Sequence, residues 1–309
     1  ARYGLIHVLR NGVKDHATFG KAFRFAYFAP ASSLNEDLIQ KYEANILTCT
    51  RQFAYSTENN NTIDMVLSLN GIPIVALELK NQYTGQDVNN SMHQYMNDRD
   101  PRELIFNFDS RILAYFGVDQ YEVVMTTHHK GDKTKFLPFN QGSNGAGNIG
   151  DGGNPANPDG YITSYLWEKV LKREMLLSIL QRYISRITEE KLILVDGKQK
   201  KETSTKIIFP RYHQFDVVEK LVADTKEKGS GYNYLLQHSA GSGKSNSIAW
   251  LTYRLASLHD NYDQEVFQTV FVVTDRRVLN KQLQDTILGF EHIEGQIVQI
   301  TDKDNSEKL

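Results

Sequence analysis

Residues 61–81 (NTIDMVLSLNGIPIVALELKN) constrain the fold of this chain more than any other segment. They contain two apolar runs joined by Asn70-Gly71, and Asn-Gly between such runs is the strongest short-range signal for a β-hairpin. We therefore predict antiparallel strands over residues 63–69 and 72–80. Any fold proposed for the chain has to contain this hairpin.

Three ionisable side chains interrupt these apolar strands. Asp64 lies in the first strand, while Glu78 and Lys80 lie in the second, two residues apart and therefore on one face. A charged group in a buried strand costs free energy unless it is paired or has a chemical role. The alternative is an exposed strand edge, where Glu78 and Lys80 form a surface ion pair that contributes little to stability.

The type of turn decides whether Asp64 meets Glu78. A strict two-residue hairpin places Asp64 opposite Leu77, whereas a three-residue turn or a bulge near Pro73 places it opposite Glu78. We predict the second arrangement, in which all three charges share a face. Two carboxylates and a lysine so placed can bind Mg²⁺ and a scissile phosphate and can position a water molecule. Asp64, Glu78 and Lys80 are thus the candidate catalytic residues, with both carboxylates as candidate metal ligands.

A second motif, HSAGSGKS at residues 238–245, lies between a predicted strand and a predicted helix. Backbone amides of such a loop surround phosphate oxygens, its lysine reaches the outer phosphates, and its last hydroxyl can bind Mg²⁺. His238 occupies the first position, where the Walker pattern has glycine. Many helicases have another residue at this position. The alternative is a Gly/Ser linker that only turns the chain. The predicted ATP-binding residues here are Gly241, Ser242, Gly243, Lys244 and Ser245, and Ser245 is also a candidate metal ligand.

Gln214 precedes the phosphate loop by about one helix and one strand, the position where helicases place a glutamine that recognises adenine. The alternative is an ordinary surface glutamine. ATP hydrolysis also requires an acidic residue on a later strand to bind Mg²⁺, and no Asp-Glu pair follows a strand between residues 246 and 309. We therefore expect these residues to bind nucleotide without forming a complete ATPase.

The overall composition fits a soluble globular protein. The 309 residues carry 35 Lys and Arg against 37 Asp and Glu, so the net charge is close to zero. A surface that binds nucleic acid would therefore have to be a local cluster of basic residues. Cys49 is the single cysteine, which excludes an internal disulfide and favours a cytoplasmic location. No run of eighteen apolar residues is present, so no membrane-spanning helix is expected.

The remaining sequence indicates two differently built halves. Strands are predicted over residues 53–57, 113–118 and 122–127, in addition to the hairpin, before an exposed Gly-rich loop at residues 141–160. One long amphipathic helix is predicted at residues 165–187 and a basic linker at 196–206. Helices at 211–226, 245–258 and 277–288 then alternate with strands at 233–237, 269–274 and 296–300. This alternation is typical of a parallel α/β sheet.

Asp followed by Glu-x-Lys on the next strand resembles the PD-(D/E)xK nucleases. Together with the phosphate loop, the chain resembles the motor (R) subunit of type I restriction endonucleases over nearly its whole length. The matching segments are Thr50-Arg51-Gln52-Phe53, Ile63-Asp64 through Asn70-Gly71, Glu78-Leu79-Lys80-Asn81, Gln94-Tyr95, Asp98-Arg99-Asp100-Pro101, Thr126-Thr127, Phe136-Leu137-Pro138-Phe139-Asn140, Tyr165-Leu166-Trp167-Glu168 and HSAGSGKS.

This resemblance implies an α/β chain with a PD-(D/E)xK (restriction-endonuclease-like) nuclease domain at residues 1–165, a connecting helix and basic linker at 166–206, and the N-terminal part of a RecA-like superfamily-two helicase domain at 207–309. It implies a Mg²⁺-dependent endonuclease coupled to ATP-driven translocation on double-stranded DNA. Modification (methyltransferase) and specificity subunits would be its partners. By analogy, Asp64 and Glu78 would bind Mg²⁺, and Lys80 would orient water or stabilise the transition state.

The chain departs from the family pattern after the Glu-x-Lys strand. Many members carry Gln-x-x-x-Tyr there, but Ser91 stands four residues before Tyr95, and Gln94 is directly adjacent to the tyrosine. Two other functions stay open. One is a helicase or repair ATPase whose nuclease-like domain binds DNA without cutting it, and the other is a non-catalytic nucleotide-binding module.

Overall fold

The computed structural model describes residues 3–15, 20–195, 198–274 and 277–290. Its strands are β1 Val13–Asp15, β2 Lys21–Phe23, β3 Leu47–Ala54, β4 Thr62–Leu69, β5 Ile72–Leu79, β6 Ala114–Val118, β7 Val123–Thr126, β8 Leu137–Pro138, β9 Ser185–Val195 and β10 Lys198–Ile208. Its α-helices are α1 Leu5–Asn11, α2 Glu36–Glu43, α3 Val88–His93, α4 Arg173–Arg182, α5 Tyr212–Lys228, α6 Lys244–Ala256 and α7 Arg277–Gly289. Short 3₁₀ turns span Gln82–Thr84 and Leu104–Phe106, and π-helical turns span Gln94–Asp98 and Leu166–Val170.

A mixed sheet in the order β3-β4-β5-β6-β7-β8 forms the centre of the N-terminal half. Strands β5 and β6 are parallel, and every other neighbouring pair in this sheet is antiparallel. The described chain is therefore a mixed α/β structure. The five predicted strands of this half are present as β3 to β7. The first of them, predicted at residues 53–57, instead occupies Leu47–Ala54, because its mostly polar and exposed side chains give no alternating pattern in the sequence.

The hairpin of β4 and β5 contains the predicted bulge. Near the turn Leu69 pairs with Ile72, but beyond a register shift at Leu67/Ser68 the pairs become Leu67 with Val75 and Met65 with Leu77. Continuing that register places Asp64 opposite Glu78 rather than opposite Leu77. The predicted register is therefore confirmed, and the extra residue is accommodated next to Pro73.

Both faces of the sheet are covered by apolar side chains. One face contributes Leu77 and Phe116 to a large core that also includes residues of α1, α4, α5 and α6. The other contributes Ala76 and Tyr115 to a smaller core that includes Tyr95 of the π-helical turn Gln94–Asp98. Glu78 alternates with Leu77 along β5 and so belongs to the face with the smaller core.

The prediction of one long helix at residues 165–187 is wrong. A π-helical turn ends at Val170, Lys172 is extended (φ −59°, ψ 144°), and α4 ends at Arg182. From Ser185 the chain forms the long antiparallel hairpin of β9 and β10. The segment predicted as a basic linker is therefore mostly strand β10, although residues 196 and 197 lie outside the described residues. Ile184 and Ile187 continue the helical spacing of the apolar residues, which concealed the start of strand β9 at Ser185.

In the C-terminal half the three predicted helices are present as α5, α6 and α7. The prediction of strands at residues 233–237 and 269–274 is wrong, because neither segment pairs with a neighbouring strand in the described residues. Leu235 and Val273 are 95% and 89% exposed. The strand predicted at 296–300 lies outside the described residues. The proposed domain limits at 165 and 206 stay predictions.

The segment between the two halves packs into the shared core. Tyr183, which follows α4, is fully buried, and its backbone carbonyl accepts a hydrogen bond of 2.8 Å from the indole Nε1 of Trp250 in α6. Its hydroxyl donates to Glu219 of α5 (2.5 Å), and Arg254 of α6 also pairs with Glu219. The helix that follows the phosphate loop is thus fixed to the segment that follows α4.

The Gly-rich loop at residues 141–160 contains neither helix nor strand, as predicted. Its backbone closes on itself, with Gly142 donating to the carbonyl of Gly153 and Ser143 to that of Asp151. Asn154 ties the loop to Tyr121 by a side-chain hydrogen bond. Across the part of the chain that the structure describes, no helix has the length and apolar character needed to cross a membrane.

Candidate functional site

Asp64 lies next to the end of strand β5. Its Oδ2 accepts a hydrogen bond of 2.8 Å from the backbone N–H of Leu79, and its Oδ1 accepts one of 3.1 Å from Nε2 of Gln52. Gln52 has a left-handed backbone (φ 48°) in the middle of β3, a conformation that costs free energy and is often kept at functional sites. Each Asp64 oxygen keeps a further lone pair available for a ligand.

Glu78 is fully buried beside Asp64. Its Oε1 accepts hydrogen bonds from Nε and Nη2 of Arg99 at 3.2 and 2.9 Å, while its Oε2 is buried without a hydrogen-bond partner. Burial raises the pKa of Glu78 to about 7, Arg99 opposes that shift, and the charge of Asp64 adds to it. The two carboxyl groups are therefore close enough to interact directly.

Lys80 follows β5 and is half-buried. Its Nζ donates a hydrogen bond of 2.5 Å to Oε1 of Gln94. The adjacent Tyr95 is fully buried, with its hydroxyl unpartnered, and burial together with the charge of Glu78 raises the pKa of that hydroxyl well above its usual value. Gln94 and Tyr95 therefore both face the carboxylate pair or its lysine.

Ser91, at the position where the family pattern has glutamine, has a packing role in this structure. It is fully buried in α3, and its hydroxyl donates to the carbonyl of Val88. A Cβ atom added at Gly117 of β6 would come within 2.1 Å of Ser91 Oγ. The helix and the strand thus approach too closely for a long side chain at residue 91, whereas Gln94 reaches Lys80.

The predicted metal ligands are Asp64 and Glu78. Among the described residues, no group of three or more His, Cys, Asp or Glu could hold a metal. Two acids of α2 are paired elsewhere, Asp37 with Lys41 and Glu43 with Arg173. Two carboxylates with the remaining positions left to water and phosphate are what Mg²⁺ uses at phosphoryl-transfer sites. The unpartnered buried oxygen of Glu78 fits such a ligand, so the residues present are compatible with Mg²⁺.

The phosphate loop leads directly into α6. Gly241 and Gly243 have φ values of 74° and 82°, and Lys244 is the first residue of the helix. The Lys244 ammonium donates to the backbone carbonyls of His238 and Ser239 at 3.2 and 2.9 Å, so it lies across the loop. This geometry places lysine, backbone amides and the positive end of a helix dipole together, as phosphate binding requires.

Gln214 is buried rather than exposed. Its Nε2 donates to the carbonyls of Ser242 and Gly243 at 3.2 and 2.9 Å, and its Oε1 accepts from the backbone N–H of Arg211. A Cβ atom at Gly243 would lie 2.4 Å from that Nε2, and the φ of 82° at this residue also favours glycine. The surface alternative is thus excluded, and the predicted recognition of adenine stays a prediction.

His129 is buried close to Tyr95. It is 3% exposed, its ring centroid lies 4.7 Å from that of Phe106, and its Nδ1 accepts the backbone N–H of Gly131. Burial, followed by the neighbouring His128, lowers the pKa of His129 to about 4. The imidazole is therefore neutral in the folded protein at ordinary pH.

We expect acid to destabilise the protein through His129. His129 has its ordinary pKa of about 6.5 in the unfolded chain and a pKa of about 4 in the folded chain. The stability that this difference contributes is fully present above pH 6.5 and is lost as the pH falls from 6.5 to 4. The loss at pH 4 is about 3 kcal/mol. Urea unfolding of His129→Phe at pH 7 and pH 4.5 should show a smaller difference than the wild type. His93→Phe, at an exposed position, should keep the full difference.

Sequence reasoning missed Arg99 and Gln52 as members of the site. Arg99 stands 21 residues from Glu78 in the chain, and Gln52 reaches Asp64 from the neighbouring strand. Both belong to segments that carry the family resemblance, Asp98-Arg99-Asp100-Pro101 and Thr50-Arg51-Gln52-Phe53. Nothing in the spacing of either segment could have indicated the contact.

Comparison with known proteins gives two family matches. Residues 34–134 match the type I restriction enzyme R protein N terminus, and residues 213–309 match the SWI2/SNF2 ATPase. The first match contains Asp64, Glu78 and Lys80, and the second contains the phosphate loop and Gln214.

The chain is also similar to a curated relative from Methanocaldococcus jannaschii, named type I restriction enzyme MjaVIIIP endonuclease subunit. The two are 26% identical over 259 residues, which cover 81% of this chain and 22% of the relative. The chain thus spans about a fifth of the length of that protein. Taken together, these matches confirm the resemblance to the R subunit of type I restriction enzymes.

Proposed function

We propose that this chain contributes the nuclease site and the nucleotide-binding loop of a type I restriction enzyme R subunit, a Mg²⁺-dependent DNA endonuclease coupled to ATP-driven translocation on duplex DNA. The observation that carries the proposal is the convergence of Asp64 and Glu78, with one unpartnered buried oxygen on Glu78. A binding module has no need for that costly arrangement.

The proposed chemistry assigns a role to each side chain at the end of the hairpin. Asp64 and Glu78 would hold Mg²⁺, which polarises a phosphoryl oxygen and lowers the pKa of bound water. Lys80, oriented by Gln94, would supply a positive charge to the scissile phosphate. Arg99 and the N–H of Leu79 hold the two carboxylates in place. On this proposal the N-terminal half is a PD-(D/E)xK nuclease domain.

The C-terminal half would bind ATP. Gly241, Ser242 and Gly243 would surround its phosphates, Lys244 would reach the outer phosphates, and Ser245 would bind Mg²⁺. Gln214 would recognise adenine at the edge of the loop that it already contacts. We propose a RecA-like superfamily-two domain here, supported by the SWI2/SNF2 match.

The proposed partners are double-stranded DNA and the modification and specificity subunits of a restriction complex, with a cytoplasmic location. The family match and the named relative support the choice of these partners. Because the chain spans about a fifth of that relative, tests of the whole activity require the full-length protein in its complex.

The proposal is tested by cleavage of circular DNA that carries the recognition site of the complex. The full-length protein with its partners is expected to cut in the presence of Mg²⁺ and ATP, to stop on addition of EDTA, and to resume when Mg²⁺ is restored, because the reacting phosphate needs the cation. Cleavage is read on agarose gels, and ATP hydrolysis is measured in parallel. ATP hydrolysis on intact DNA that is never cut would instead support a DNA-binding domain without nuclease activity.

A further inference from the structure

Arg99 pairs with Glu78 in an unusual way. Arginine and a carboxylate commonly form two parallel hydrogen bonds, one to each oxygen. Here both Nε and Nη2 of Arg99 donate to Oε1, at 3.2 and 2.9 Å, and Oε2 receives nothing. The pair is buried, with the side chains of Arg99 and Glu78 5% and 0% exposed. One oxygen of Glu78 is therefore fully engaged and the other is free.

The guanidinium of Arg99 is held from two further directions. Its Nη2 also donates to the backbone carbonyl of Thr62 at 2.7 Å, at the start of the strand that carries Asp64. It also lies 5.7 Å from the ring centroid of Tyr55, which packs edge-on against Phe106. Moving Arg99 away from Glu78 would leave that carbonyl and a buried carboxylate without a donor, which is costly. The contact with Oε1 is thus a fixed part of the site.

This arrangement limits how Glu78 can bind a cation. Ca²⁺ accepts six to eight oxygen ligands at 2.3–2.6 Å and commonly takes both oxygens of a carboxylate, whereas Mg²⁺ requires near-octahedral geometry at 2.0–2.1 Å. With Oε1 covered by the guanidinium, Glu78 can offer only Oε2. Coordination through single oxygens suits the smaller ion.

We propose that Arg99 is a positioning residue that restricts Glu78 to one free oxygen and so makes the Asp64–Glu78 site prefer Mg²⁺ over Ca²⁺. This inference rests on the proposed function only in taking Asp64 and Glu78 as the metal ligands. Replacing the guanidinium frees Oε1, which permits two-oxygen binding by Glu78 and improves the site for the larger ion. Lysine at residue 99 keeps the positive charge but lacks the planar fork, so it separates ligand restriction from simple charge pairing.

The test is calorimetric titration of the full-length protein, without nucleotide, with MgCl₂ and separately with CaCl₂. Binding at this site is defined as the part lost in Asp64→Asn. The variants are Arg99→Lys and Arg99→Met. Arg102→Lys is the matched control, since Arg102 forms an exposed pair with Asp100 three residues further along the same segment. Circular dichroism checks that each variant is folded, and Arg99→Lys decides the question if Arg99→Met does not fold.

We expect the ratio of Ca²⁺ to Mg²⁺ affinity to rise on the order of tenfold in Arg99→Lys, and further in Arg99→Met, with no change in Arg102→Lys. A ratio that stays within about twofold of the wild type in Arg99→Lys, while Asp64→Asn still removes binding, would overturn the inference and leave the proposed function standing. Absence of any Asp64-dependent cation binding in the wild type would count against both.

Discussion

Replacing Asp64 with asparagine should abolish DNA cleavage by the assembled enzyme while leaving ATP hydrolysis intact. Asparagine keeps the size of the side chain but removes the charge that would bind Mg²⁺, and its single amide oxygen can accept from only one of the two donors, Leu79 N–H and Gln52 Nε2, that Asp64 now accepts. Loss of the metal removes several kcal/mol of transition-state stabilisation, so the rate should fall about a thousandfold or more. Supercoiled plasmid cleavage and phosphate release measure the two activities.

The matched control for this variant is Asp98→Asn, which changes an exposed carboxylate at the end of the π-helical turn Gln94–Asp98. It should cut DNA at the wild-type rate. Cleavage that persists in Asp64→Asn would contradict the assignment of the site. Loss of both activities together with a lower melting temperature would instead indicate misfolding, and Glu78→Gln would then repeat the test from the other carboxylate.

Replacing Lys244 with alanine should stop both ATP hydrolysis and DNA translocation. The ammonium lies across the phosphate loop, bound to the carbonyls of His238 and Ser239, from where it can reach the outer phosphates of a nucleotide. Removal of one preorganised donor to the transferring phosphoryl group typically costs about a hundredfold to a thousandfold in rate. Phosphate release measures ATP hydrolysis, and displacement of a triplex-forming strand from duplex DNA measures translocation.

Lys228→Ala is the control here, because Lys228 is a surface residue of α5 that pairs with Asp224. Since the proposed cleavage follows translocation, Lys244→Ala should lose cutting as well, whereas Asp64→Asn should spare the motor. That asymmetry separates a coupled nuclease and motor from two independent activities. Normal cutting by Lys244→Ala on a circular substrate would show that the coupling is wrong.

Local sequence signals predicted the hairpin well. Asn70-Gly71 fixed the turn, and Pro73, which has no N–H for the ladder, indicated the irregularity that moves Asp64 opposite Glu78. The helices of the C-terminal half were also predictable, because each presents an apolar stripe and α6 begins directly at the phosphate loop. In these segments the pattern and the tertiary contacts favour the same structure.

Other segments depend on contacts that no local pattern contains. Residues 165–187 have helical spacing, yet Lys172 breaks the helix and the chain after Tyr183 pairs with β10 over its whole length. Residues 233–237 are apolar enough for a strand, but a strand requires a neighbour to complete its hydrogen bonds. Arg99 contacts Glu78 only because the π-helical turn before it brings the chain back to β5. The sequence alone therefore could not predict the role of Arg99.

The contacts of Tyr183 have a consequence for how this protein can be divided or recombined. Its backbone carbonyl binds Trp250 and its hydroxyl binds Glu219, so both contacts cross the boundary predicted at residue 206. Exchanging nuclease modules between related enzymes at that boundary would pair foreign surfaces in the middle of one core. A functional chimaera would have to transfer α4, α5 and α6 together with the sheet, so the segment that has to be exchanged is larger than the proposed nuclease domain.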